Sequence, residues 1–69
     1  MDHRYELTAA EKQALRDYLS RAGHSRACAA IGLARMTVYR ARDGEAVYRS
    51  TLAAIRSGLA LAAELERQS

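Results

Sequence analysis

Ten of the eleven basic side chains in this 69-residue chain are arginines. Arginine presents a planar fork of donors that fits phosphate oxygens and the edge of guanine, which the point charge of lysine matches less well. Their distribution is uneven. Arg21 to Arg56 holds seven arginines against two acids, a balance of +5, while the segments on either side carry −1 each, giving the net +3. Within that basic block, Arg35, Met36, Tyr39 and Arg40 share one face if the segment is helical. Forked donors beside a thioether suit a nucleic-acid partner, with guanine N7 and O6 for the arginines and a thymine methyl for Met36. A solvated basic surface is the alternative that charge alone leaves open.

Other chemistries lack their residues. One cysteine, Cys28, cannot form an internal disulfide, which fits a reducing cytosol. His3 and His24, far apart and joined only by that cysteine, give no zinc spacing. There is no glycine-rich phosphate loop and no nucleophile–base pair, so neither a cofactor, a metal nor an enzyme is expected. No run of 18 apolar residues exists, and the polar start from Met1 to Glu6 lacks a secretory apolar core. The expected location is the cytoplasm of a prokaryote, with no membrane partner.

The elements that would position the arginine face are legible in outline. Fifteen alanines and eight leucines, with no Phe, Trp or Pro, argue for helices and against a sheet. The prediction is an all-α, small four-helix domain spanning 1–69. Thr8-Ala9-Ala10-Glu11 has the form of a capping box, so helix one runs from about Ala9 to Ala22 with Gly23 as its stop. Ala14, Leu15, Tyr18, Leu19 and Ala22 form its apolar stripe. Ser25 is the expected cap of a second helix over Arg26 to Ile31, ended by Gly32. A third runs from Arg35 to Arg42, closed by Asp43-Gly44. Ser50 is the expected cap of the last, about 50–66, with Leu52, Ile55, Leu59, Ala62 and Leu65 along one side, widened by Leu61. Gly58 inside it implies a close contact, and the tail from Glu66 to Ser69 is expected to fray.

The segment from His24 to Asp43 meets the demands of a helix-turn-helix. Cys28 is a small residue facing the second helix, Gly32 tolerates positive φ, Leu33 plugs the core after the turn, and Val38 faces inward. The run from Ala30 to Ala41 resembles the helix-turn-helix of bacterial and phage repressors, and is similar to both the lac-repressor and the phage Cro/repressor families. The points of likeness are the Ile31-Gly32-Leu33-Ala34 turn, Thr37-Val38-Tyr39-Arg40 and the Asp43-Gly44 stop. Ser50-Thr51-Leu52-Ala53-Ala54-Ile55 resembles the start of the family's next helix. One departure is Ala34, where the family often has a serine that caps the helix and touches phosphate. Its side chain can do neither, although backbone N–H groups there can face a phosphate.

The resemblance implies that Arg35, Met36 and Arg40 meet base edges, and that Thr37 and Tyr39 meet the sugar-phosphate backbone. Ser25 and Arg26 are placed to hold a phosphate, and Arg42 and Arg49 add salt-dependent affinity. Met36 could equally be packing, and Tyr39 can cover the core edge while its hydroxyl reaches phosphate. Tyr48 is read as a packing residue, with DNA or partner contact as its second reading, Cys28 as a small core residue, and His3 and His24 as surface residues, with phosphate as a second reading for His24. The expected function is a sequence-specific repressor of phage or mobile-element type that binds double-stranded DNA at an inverted repeat as a homodimer, without a small-molecule effector. The dimer interface is expected at Leu59, Leu61, Ala62 and Leu65. A helical protein-interaction module, antitoxin-like and without DNA readout, is the competing reading.

Overall fold

The computed structural model describes residues 4–68, in the order β1 (Arg4–Tyr5), α1 (Ala9–Ala22), α2 (His24–Ile31), α3 (Arg35–Arg42), β2 (Val47–Tyr48) and α4 (Arg49–Gln68). The all-α four-helix domain is what forms. His3 and Ser69 lie outside the described residues. α1 starts where the capping box places it. The Thr8 hydroxyl accepts from the Glu11 N–H at 3.1 Å, and Glu11 Oε1 accepts from the Thr8 N–H at 2.8 Å. Each end of the box thereby satisfies a donor that a helix start would leave open.

α2 begins earlier than expected. Gly23 donates to the Leu19 carbonyl at 3.0 Å to close α1 and accepts from the Ala27 N–H at 2.9 Å to open α2. With a single residue serving both helices, Ser25 falls inside the first turn and caps nothing. The far end follows expectation. Gly32 has φ 84° and ψ 23°, the left-handed conformation that side chains resist, and its N–H returns to the Cys28 carbonyl. Leu33 and Ala34 then lead directly into α3, so α2 and α3 form a helix-turn-helix unit.

The composition argues against a sheet, yet β1 and β2 pair antiparallel, Arg4 opposite Tyr48 and Tyr5 opposite Val47. Two residues per strand need only a local signal, and Val47-Tyr48 joins a β-branched to an aromatic residue. The ribbon carries the chain straight into α4 at Arg49. Ser50 is therefore within the first turn and not its cap, and the helix continues to Gln68 through the tail expected to fray.

One cluster forms the core. Leu15, Leu19, Val38 and Ile55 are its largest fully buried side chains, each worth about 1.5–3 kcal/mol of burial. Leu7, Cys28, Ile31, Val47 and Leu52 join it, with Tyr18, Ala22 and Leu33 packed on its edge. Ala14, expected in the stripe, is exposed. No polar or charged side chain among the described residues is buried. Gly58 finds its close contact in Ile31, since a Cβ there would lie 2.8 Å from Ile31 Cγ1 and 3.2 Å from Ile31 Cα. At that point α4 rests almost on the backbone of α2.

Candidate nucleic-acid interface

α3 is held from one side only. Val38 and Ala41 are completely buried, and Leu33 wedges beneath the helix start. The opposite face is open: Arg35 and Arg40 are exposed, and Met36 is 62% exposed. Ala34 sits at the N-cap with no side-chain hydrogen bond, as its alanine side chain requires. No acid lies in the first turn of α2 or α3, while Arg40 and Arg42 lie in the last turn of α3, where they suit the helix dipole.

The two flanks of α3 differ. On one, Tyr39 is a pivot: its hydroxyl is hydrogen-bonded to His24 Nδ1 at 2.7 Å, and the Arg42 guanidinium lies 4.5 Å above its ring centre. Arg42 Nε donates to Asp43 Oδ1 at 3.0 Å, and Arg35 Nη2 donates to the Ser25 hydroxyl. A cavity of 330 Å³ lined by Arg16, Leu19, Ser20, His24 and Arg42 opens beside this group. On the other flank, Thr37, Arg40, Tyr48 and Thr51 line a 290 Å³ cavity against β2 and the start of α4. Tyr48, read from sequence as packing, is in fact 49% exposed there, because the ribbon turns Val47 and not Tyr48 into the core.

The predicted contact residues therefore fall into groups. Arg35, Met36 and Arg40 share the open face, and the side chains of Arg40 and Arg26 make no hydrogen bond or ion pair with any described residue. Ser25 is exposed beside Arg35, and Thr37 is half-buried at the second cavity. Tyr39 is half-buried, with ring and hydroxyl both engaged. Arg49 stands apart at the start of α4, donating to the Tyr5 hydroxyl at 3.0 Å, which pushes its pKa further up. Arg16 and Ser20 went unread because their approach to α3 depends on how α1 crosses it. Arg56, counted with the basic block, is committed elsewhere. Its Nε and Nη2 donate to the Glu11 carboxylate at 2.5 and 3.1 Å. That fork, with the Thr8 N–H behind it, holds the Glu11 carboxyl down at about 2.

The expected dimer residues divide as well. Ala62 is buried within the chain, while Leu59, half-buried against the core, also lines an open cavity of 480 Å³ with Ala10, Ala14 and Ala60. Leu61 and Leu65 are 53% and 59% exposed, which also removes Leu65 from the buried side of α4. Among the described residues no cluster of metal-ligating side chains occurs, and no helix is long and apolar enough to cross a membrane. Comparison with family models, curated proteins and solved structures finds no match.

Proposed function

We propose that this chain is a sequence-specific double-stranded DNA-binding regulator, a binding protein and not a catalyst. The observation that carries the reading is the open face of α3. Two arginines and a largely exposed methionine project from a helix whose other face is pinned by Val38 and Ala41. A helix so held can enter a major groove, where each arginine fork on guanine discriminates by about 1–3 kcal/mol. Arg35 and Arg40 are the readers, with Met36 against a thymine methyl. Ser25, Arg26, Thr37, Arg42 and Arg49 serve phosphates on either side. The regulator would act in a prokaryotic cytoplasm as a two-fold dimer that occludes a promoter.

Selection from a random duplex library tests this directly. The expected product is an inverted-repeat consensus with half-sites about one helical turn apart. Changing Arg35 and Arg40 together to alanine is expected to abolish that specificity while leaving the circular dichroism spectrum and melting temperature unchanged. Protection of the same sites by the double variant would overturn the assignment of the readers. The exposed leucines of α4 favour a second reading, a helical protein-interaction module. Affinity for the duplex separates the two, since DNA binding weakens steeply between low and physiological salt and an apolar protein contact does not.

A further inference from the structure

The geometry points to a phosphate seat between α1, α2 and α3, in the cavity lined by Arg16, Ser20, His24 and Arg42. Two guanidinium groups, an imidazole and a hydroxyl meet there, and no carboxylate lines the cavity. Asp43 occupies only Nε of Arg42, which leaves that side chain's terminal nitrogens for a ligand. Asp17, next to Arg16, is turned to the Gln13 amide at 2.9 Å. Arg42 is preorganised, because the Tyr39 ring supports its guanidinium and His24 in turn holds Tyr39. Arg16 reaches the same end of α3, with Nη2 3.5 Å from the Arg42 carbonyl. Positive charge gathered in a concavity, fixed by stacking and without a carboxylate on its walls, suits an anion with several acceptor oxygens. The seat lies on the flank of α3 that carries Arg35. We assign it to a phosphate of the duplex whose bases that face reads, so this source of the phosphate rests on the DNA reading above. Arg16 becomes a contact residue on a helix that the sequence pattern left out of the interface.

The test compares the 69-residue chain with its Arg16→Gln and Arg16→Lys variants, on the selected duplex and on a scrambled duplex of equal length. Loss of one phosphate contact should make the slope of log affinity against log salt shallower by about 0.9. In Arg16→Gln, affinity for both duplexes should fall by the same factor with the consensus unchanged, while Arg16→Lys restores the slope. A wild-type slope in Arg16→Gln, with Arg40→Ala still destroying specificity, removes the seat and leaves the DNA reading standing. Titration with inorganic phosphate, followed through the arginine Nε–H signals in NMR spectra, separates the sources. If the chain binds no duplex but phosphate shifts the Arg16 and Arg42 signals, and Arg16→Gln abolishes the Arg42 shift, the seat takes a free phosphate and the DNA reading falls. If no duplex binds and no signal moves, both ideas fall.

Discussion

Glu11 concentrates two tasks in one carboxylate. It closes the capping box of α1 and, through Arg56, ties α1 to α4 across 45 positions of sequence. The first task was legible, because a capping box is a four-residue pattern. The second was not, and from sequence Arg56 counted only as one charge of the basic block. The Arg56 fork holds the Glu11 carboxyl at about 2 against its ordinary 4.5, so the folded state favours the ionised form. The stability this contributes is complete above about pH 4.5 and is lost as pH falls through about 2. Glu11→Gln is expected to lower stability at pH 7 by about 1 kcal/mol, or about 4–8 °C in melting temperature. The gap between wild type and variant should close as the buffer approaches pH 2. Thermal unfolding at a series of pH values checks this, and a constant gap would show that the carboxylate's charge contributes nothing.

Among the elements, boundaries were readable wherever a side chain or a glycine conformation sets them. Thr8 with Glu11 fixed the start of α1, and Gly32 fixed the turn into α3. The starts of α2 and α4 were missed because Gly23 serves two helices and the ribbon delivers Arg49 directly into a turn. In both places a serine signal yielded to backbone connection. Gly58 shows the converse, a residue whose cost predicted a contact before its partner was known. Replacing Gly58 with alanine gains about 1 kcal/mol of helix propensity. The added Cβ meets Ile31 Cγ1 at 2.8 Å, and the 3.2 Å approach to Ile31 Cα cannot be relieved by a rotamer change. Overpacking of this kind costs about 1–3 kcal/mol, so a net loss of about 1 kcal/mol is expected. Chemical denaturation would read it as a lower midpoint with unchanged slope, and a gain in stability would mean that α4 shifts freely over α2.

For the whole molecule, the long axis of 42 Å against 20 and 19 Å follows from α4, whose 20 residues outrun the bundle that it packs on. Its C-terminal half exposes Leu61 and Leu65, and Arg21 and Glu66 pair at 2.9 Å between the ends of α1 and α4. That exposed ion pair adds little. Ala62 serves the core of its own chain and Leu59 is half-buried against it, so a second copy finds Leu61 and Leu65 as the largest exposed apolar side chains of this helix. A stable interface buries about 1,200–2,000 Å² in total, which two leucines on each side do not approach. The pair of protomers proposed for an inverted repeat should therefore be monomers in free solution and associate on the duplex, where the first bound copy raises the local concentration of the second. Sedimentation equilibrium at micromolar concentration is expected to return the 7.6 kDa monomer. Binding to the full repeat should be cooperative, and binding to an isolated half-site should not be. Replacing both Leu61 and Leu65 with serine should remove the cooperativity while leaving half-site affinity and the melting temperature unaltered, because neither side chain packs in the core. A tight dimer in the absence of DNA, or undiminished cooperativity in the serine variant, would place the contact between copies on another surface.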